Sequence, residues 1–558
     1  MTSEVAQPAP TTLYPELDEA ALRAFVAALE SGDTSALEAT RADEVTRARA
    51  RVRFSLVKVD STPEDDTDEP VRLDAALWVQ QDTEARPLIV MPSPWTDLGW
   101  LAYAVQATVF AAKGYNVLAY TARGFGLSGG LVDVAGPLDV DDARAALDFL
   151  IARTPGGPTR IGFLGDSYGS GISQLAAAHD DRVHAVAALS TWGDLGEAFY
   201  ENATRHTASV QALLGAAKNA RLSEQTQRVF DDVLAGERIE ETLAWAAPRS
   251  PISHVQELSG RGVPVYFSHA WHETLFPTNQ TLKMFHQLTG PKRLDLSIGD
   301  HSCPEMTGII GLPNRIWATA HRWLDHHLMD ADNGIDFEGE VVGQAMWKWG
   351  QEELETRPSW EAFEGSPERQ YLAGPGEGAT DGRLAEKPEH GWTQEALTGI
   401  DTPATVARAI IQAGYDELTR NPKVYPTTEI DRALAAVWTA PAATDVTRLR
   451  GVPRLRLSYT ASAAASSFVA YLFDMARDGT AHIITHAPFT SPDAAPGRTI
   501  TADIALQATG YDVPAGHRLI LVVDTHDPFY AGSNLPRAVL RFTSSEDNPS
   551  FLELPIYR

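Results

Sequence analysis

A single cysteine in 558 residues, Cys303, leaves the chain without an internal disulfide and fits a reducing compartment. Positive charge is scarce as well. Against 74 Asp and Glu stand 46 Lys and Arg, for a net charge of −28, which opposes nucleic acid or an anionic membrane as partner through long-range repulsion. No apolar run is long enough to cross a bilayer. Met1 to Pro10 lacks a basic stretch followed by an apolar one, so no secretion signal is expected and the protein is placed in the cytoplasm. Heptads, internal repeats and long low-complexity tracts are absent too. These absences exclude disulfide scaffolds, membrane spans, coiled coils and solenoids. The length exceeds one core and calls for two or three domains.

What is present is ordered along the chain. Residues 1–50 read as an outer helical segment, with helical spacing at Leu22, Phe25, Val26 and Leu29 and a break at Ser31-Gly32-Asp33. Val52 to Val59 and Val71 to Val79 alternate as strands do and flank the acidic stretch Asp60 to Pro70, a hairpin joined by a solvated loop. Strand and helix then take turns: Leu88 to Met91, helix Trp100 to Lys113, Asn116 to Tyr120, helix Val140 to Ala152, Arg160 to Leu164, helix Ser170 to Ala178, and Val183 to Leu189. Continuous apolar strands separated by helices mean a parallel sheet covered on both faces. The rhythm breaks over 194–258, where Ala-rich helical sequence predicts a cap, and resumes over 259–335 with Val263 to Ser268, Arg293 to Ile298 and helix Asn314 to Leu328. Residues 336–558 are rich in short strands and in turns such as Ala373-Gly-Pro-Gly-Glu-Gly378, as in a β-sandwich.

The chemistry centres on Gly165-Asp166-Ser167-Tyr168-Gly169, between the strand ending at Leu164 and the helix from Ser170. A strand driven directly into a helix forces a strained turn with glycine on both sides, and the serine hydroxyl is held clear of the sheet. Ser167 is therefore the expected nucleophile. A serine hydroxyl needs a base, and in such sheets the acid and then the histidine follow it on later loops. Two loops qualify: His269-Ala-Trp-His-Glu-Thr-Leu-Phe-Pro277 and Gly299-Asp-His-Ser302. His301 is assigned as general base and Glu273 as the carboxylate that orients it, with Asp300 and Asp295 as weaker alternatives. The oxyanion needs two donors: the Tyr168 backbone N–H, and a second from Pro92-Ser-Pro-Trp-Thr-Asp97, for which the Trp95 indole is the candidate. Trp192 and Trp271 are the candidate substrate-binding residues, with Asp194 at the same mouth.

The motifs Tyr120-Thr-Ala-Arg-Gly-Phe-Gly-Leu-Ser-Gly129, Gly165 to Gly169, Trp271-His-Glu-Thr-Leu-Phe276, Gly299-Asp-His301 and Arg322-Trp-Leu-Asp-His-His-Leu328, in this order, resemble the family of X-prolyl dipeptidyl-peptidases, cocaine esterase and α-amino-acid ester hydrolases. Gly451-Val-Pro-Arg-Leu455, Tyr471-Leu-Phe-Asp474, Asp478-Gly479 and Ala515-Gly-His-Arg-Leu519 are similar to the second domain of that family. The resemblance implies an α/β-hydrolase fold with a helical cap and a C-terminal β-sandwich of jelly-roll type, an acyl-enzyme, and no metal or organic cofactor. By the same resemblance the serine falls on Ser167 and the histidine on His301. The acid falls on Glu273, where the family usually has Asp, and the oxyanion tyrosine aligns with Trp95 after Pro94. The acidic residue that usually precedes the Arg-Gly turn is missing, because Tyr120, Thr121 and Ala122 stand there, and Arg123 is left a structural role.

The expected function is hydrolysis of small ester or amide substrates by Ser167, Glu273 and His301. An X-prolyl dipeptidyl-peptidase, an acyltransferase and a catalytically silent binding protein remain as alternatives. A peptidase would hold a substrate ammonium with an acid of the early cap, Glu197 or Glu201. A zinc site built from His269, His272, Glu273 and His301 matches no usual metal spacing. Partners are limited to a small ester, amide or short peptide, and a homo-oligomer is allowed. Cys303 reads as a small buried residue.

Overall fold

Elements follow directly from capping and apolar spacing in the computed structural model, which describes residues 13–14, 17–64, 69–348, 350, 353–406, 409–493 and 495–558. Helix α1 (Glu19–Ser31) starts where the Asp18 side chain accepts from Ala20 N and Ala21 N, and it stops at Gly32 with φ of 83°. Its buried stripe of Leu22, Phe25, Val26 and Leu29 and the shorter α2 (Ala39–Arg49) cover one end of the large sheet. Just before them, Leu13 and Tyr14 are fully buried. The amino-terminal segment is thus only partly an outer layer.

Strands β1 (Val52–Ser61) and β2 (Val71–Gln80) form the expected antiparallel hairpin, Val52 opposite Gln80. Next come β3 (Arg86–Pro92), α3 (Ala104–Ala112), β4 (Asn116–Tyr120), α4 (Pro137–Arg153), β5 (Pro158–Asp166), α5 (Tyr168–His179) and β6 (Ala185–Leu189). Strands β3 to β6 are parallel, and β4 and β6 are buried along their whole length, as sheets covered on both faces require.

The chain then leaves the sheet for the cap: α6 (Leu195–Phe199), a short hairpin of β7 (Tyr200–Glu201) and β8 (Thr204–Arg205), and helices α7 (Thr207–Ala216), α8 (Glu224–Ala235), α9 (Ile239–Ala246) and α10 (Val255–Arg261). It returns as β9 (Val265–Ala270), α11 (Thr278–Gln287), β10 (Lys292–Ser297), α12 (Cys303–Ile309) and α13 (Arg315–Met329). Of two further strands, β11 (Val341–Gln344) pairs with β10 and β12 (Leu354–Arg357) pairs with β11, so the sheet order is β1-β2-β4-β3-β5-β6-β9-β10-β11-β12. The boundary expected at 336 therefore moves. Val341–Gln344 and Leu354–Arg357 extend the first sheet instead of opening the second domain.

From Ser366 to Tyr557 fourteen strands form the C-terminal domain, antiparallel except where Gly382–Ala385 meets Ala435–Thr439. Its centre is the buried pair Ser466–Met475 and Arg518–Asp524, Val469 opposite Asp524. The two domains are joined by polar contacts. Asn279 at the start of α11 donates to Leu506 O and accepts from Ala508 N, and its own backbone N–H donates to the Gln507 side chain. No described helix is long and apolar enough to cross a membrane.

Candidate active site

The nucleophile elbow sits where β5 turns into α5, with Ser167 held at φ 52° and ψ −118°. This left-handed conformation is strained for any residue with a Cβ, and such strain persists only where the surroundings impose it. Those surroundings are tight. A Cβ on Gly165 would lie 2.1 Å from Gly169 C, and a Cβ on Gly169 would lie 2.0 Å from Pro92 O. Both glycines are required by the close approach of strand, helix and the loop after β3.

Two loops that lie more than a hundred residues further along the chain meet at Ser167. His301, on the loop between β10 and α12, has Nε2 at 2.7 Å from Ser167 Oγ. On its other side, His301 Nδ1 lies 3.1 and 3.2 Å from Glu273 Oε1 and Oε2. The Glu273 carboxylate is fixed in turn by the N–H groups of Leu275 and Phe276, which donate to Oε1 at 3.1 Å each. The Phe276 ring meets the His301 ring edge-on, 5.2 Å between centroids. All three side chains are buried.

Asp300 takes a different place. Its Oδ1 accepts from Thr274 N and His301 N, and its Oδ2 accepts from Thr274 Oγ1, so it clamps the two loops together without reaching the imidazole. Asp295, on β10, is engaged with Tyr266, Arg293 and Arg315. Burial pushes the Asp300 carboxyl up to about 7, and the neighbouring Glu273 charge adds to the effect. Burial acts on Glu273 in the same sense, but the facing His301 outweighs it and holds this carboxyl below its usual value. Of the two, Glu273 is the one that stays ionised. Burial pulls His301 down, and the Glu273 carboxylate more than reverses this, so the imidazole lies above its ordinary value.

The other expected site residues are placed as follows. Trp95 is buried, but its indole N–H donates to Leu213 O of α7 at 3.0 Å, and its ring stands edge-on to Tyr168, 5.0 Å between centroids. The indole expected at the oxyanion therefore holds the cap. Trp192 donates to Arg249 O at 2.8 Å and fills the space a Cβ on Gly171 would need, which also makes it a cap anchor. Trp271 donates to Gln344 O at 2.7 Å and packs on Phe363 and Gly510, facing the C-terminal domain instead of a substrate. The Tyr168 side chain points away into the core, where its hydroxyl donates to Asp139 Oδ2 at 2.7 Å and accepts from Ala135 N.

The four groups of the zinc alternative do not converge. His269 bonds Phe276 O and His272 bonds Glu417, while His301 faces Ser167 and Glu273. Arg123 has the expected structural place, fully buried in a two-pronged contact with Asp142. A further partner is Glu64 of the acidic loop, whose carboxylate is therefore more than solvated charge. Cys303 is buried, as expected. Asp194 caps α6 by accepting from Glu197 N.

Sequence reasoning missed one contributor, the segment between Leu397 and Tyr425 of the C-terminal domain. A Cβ on its Gly414 would lie 2.2 Å from Asp300 Cβ, its Ile411 N–H donates to Thr274 Oγ1, and its Glu417 lies 2.7 Å from His272 Nδ1. This segment packs on the loops that carry Glu273 and His301. Burial lowers the His272 pKa, and the Glu417 charge more than compensates, raising it to about 9. A folded-state pKa above the unfolded value contributes stability that is full below about 6.5 and is lost as pH rises through about 9. Glu417→Gln is accordingly expected to destabilise the protein by about 3 kcal/mol at pH 6. The gap in unfolding midpoint between native protein and variant should close by pH 10; an equal gap at both pH values would contradict the charged pair.

The fold and the meeting of strand, elbow and loops define an α/β-hydrolase with a C-terminal β domain. Residues 66–303 match the family model of X-Pro dipeptidyl-peptidase (S15 family), and residues 345–552 match that of the X-Pro dipeptidyl-peptidase C-terminal non-catalytic domain. The chain belongs to this family of serine hydrolases. It is 24% identical over 264 residues to a putative Xaa-Pro dipeptidyl-peptidase of Streptomyces avermitilis, a match that spans 41% of this chain and only 36% of that relative's length. Among solved structures, an aminopeptidase from a marine-sediment Thaumarchaeota archaeon superposes with a TM-score of 0.67 at 15% identity, over 90% of this chain and 96% of that one. An α-amino acid ester hydrolase superposes with a TM-score of 0.68 at 15% identity, over 91% and 97%. At these identities the structural likeness speaks for the fold.

Proposed function

We propose that the protein hydrolyses small ester or amide substrates through an acyl-enzyme on Ser167. The observation that carries this reading is the unbroken hydrogen-bonded line from Ser167 Oγ through the His301 ring to Glu273. Ser167 Oγ attacks the acyl carbon while His301 Nε2 takes its proton, and Glu273 stabilises the imidazolium that forms. The proton passes to the departing alcohol or amine. His301 then draws a proton from water, whose oxygen attacks the acyl carbon and releases the acid and the free serine.

The developing oxyanion is met by two backbone N–H groups. Those of Tyr168, at the start of α5, and of Trp95, on the loop pressed against Gly169, have no acceptor among the described residues. Two fixed backbone donors serve an oxyanion with little reorganisation. They replace the Trp95 indole in that role.

A second reading, cleavage beside a free α-amino group, is favoured by Glu201. Glu197 is engaged with Lys283 at the surface. Glu201 is buried on β7, accepts from Gln507 through Oε1, and leaves Oε2 without a hydrogen bond among the described residues, 3.5 Å from His206 Nε2. A buried carboxylate oxygen of this kind suits a primary ammonium.

A panel of short acyl esters, amino-acid esters and X-Pro amides tests both readings. Turnover of acyl esters irrespective of a free amine supports the first. A preference of at least about tenfold for free α-amino substrates that Glu201→Gln removes supports the second, since that ratio corresponds to the loss of one charge-assisted contact. No turnover of any class by folded protein would overturn the hydrolase reading.

A further inference from the structure

Asp166 and Ser302 are the immediate neighbours of Ser167 and His301 in the chain, one before the nucleophile and the other after the base. Their side chains are joined: Ser302 Oγ donates to Asp166 Oδ2 at 2.9 Å. A second link between elbow and histidine loop thus runs alongside the Ser167–His301 contact. The same Asp166 oxygen accepts from the Tyr14 hydroxyl at 2.8 Å, and that hydroxyl lies 3.5 Å from Ser302 Oγ.

All three side chains are buried. The arrangement extends under the sheet edge. Ser302 N–H donates to Ser190 Oγ, and Glu305 of α12 accepts from Ser190 and Ser268. The Tyr103 hydroxyl accepts from Asp166 N. Ser302, Ser190 and Ser167 all have positive φ, of 53°, 42° and 52°. Three strained serines side by side need fixed partners to stay in place.

Tyr14 belongs to the segment ahead of α1, outside the hydrolase sheet. A phenol is long enough to bring a donor into this interior while its ring fills apolar space. We infer that Tyr14 and Ser302, acting through the Asp166 carboxylate, are positioning residues that set the distance and angle between Ser167 and His301. None of the three reaches the reacting atoms; they act through the residues on either side. This inference rests on the hydrolase reading above.

The charge of Asp166 bears on the base as well. The groups that face His301 are His269 on β9, Glu273 from the segment after that strand, Asp300 next in the chain, and Asp166 from the elbow. Those that face Asp166 are Tyr14, Tyr103, His301, Glu273 and Glu305. Burial pushes the Asp166 carboxyl up to about 6, so it is ionised at neutral pH, where it favours the imidazolium.

The test uses the full-length chain with Tyr14→Phe, Asp166→Asn and Ser302→Ala, measuring phosphonate labelling, kcat, KM, the pH profile of kcat/KM and the unfolding midpoint. A hydrogen bond to a charged group corresponds to roughly ten- to a hundredfold, so Tyr14→Phe and Ser302→Ala should each lower kcat by about tenfold with KM little changed. In Asp166→Asn the acid limb of kcat/KM should also move to lower pH, because His301 loses a nearby negative charge. A merely structural role would lower the midpoint and leave the limb where it is. Wild-type kcat in Tyr14→Phe together with an unmoved limb in Asp166→Asn would overturn the brace while the hydrolase reading stands. If phosphonate fails to label the wild-type chain, both fall.

Discussion

Ser167→Ala is expected to eliminate turnover, with kcat lower by about 10⁶-fold and residual rate limited to what binding and the oxyanion donors supply without a nucleophile. The same variant should lose covalent labelling by an active-site phosphonate while its unfolding midpoint stays close to that of the native chain. The elbow is held by the glycines and by Asp166, not by the Ser167 hydroxyl, whose one hydrogen-bond partner among the described residues is His301. Because Ser167 and His301 act as a unit, the double variant Ser167→Ala/His301→Ala should be no slower than either single one. Labelling that persists in Ser167→Ala would place the nucleophile elsewhere.

The second large effect concerns the acid. Glu273→Gln keeps the shape and can still accept from Leu275 N and Phe276 N, but it loses the charge beside Nδ1. A reduction in kcat of about 10⁴-fold is expected, since an amide no longer fixes the tautomer or stabilises the imidazolium. The acid limb of the pH profile should fall with it. His301 stands above its ordinary value because Glu273 outweighs its burial, so removal of that charge lowers the pH at which the base loses its proton. Asp300→Asn should cost far less, as its oxygens serve Thr274 and a backbone N–H. Near-normal activity in Glu273→Gln with a large loss in Asp300→Asn would reverse the assignment.

Much of this arrangement was legible in the sequence because it depends on periodicity and on sterics. The strand expected over Asn116 to Tyr120 has those bounds, and the glycines at 165 and 169 announce a turn that only glycine can flank. What was not legible depends on where a side chain faces. The sequence offers the Trp95 indole as an oxyanion donor, yet Leu213 of α7, 118 residues away, supplies the acceptor that claims it. Trp271 stands beside the acid in sequence and points the opposite way, into the other domain. Tyr14 shows no motif at all, since its partner Asp166 is 152 residues distant. Strands β11 and β12 are short, and nothing in their pattern says which of two sheets they join. Glu273, where the resemblance leads one to expect Asp, meets the imidazole because the backbone N–H groups of its own loop hold the longer side chain against the ring.

The segment between Leu397 and Tyr425 bears on how separable the two halves are. The C-terminal family is described as non-catalytic, and the proposed triad of Ser167, His301 and Glu273 lies wholly outside it. Severing the chain after Arg357 would nevertheless strip Glu417 from His272, Ile411 from Thr274 and Gly414 from Asp300, leaving groups next to Glu273 and His301 newly bare. The hydrolase sheet is therefore not a minimal enzyme that can be cut out or grafted. The loops that carry Glu273 and His301 pack against this C-terminal domain, and an exchange of that domain between relatives has to carry residues 411–417 and their partners together.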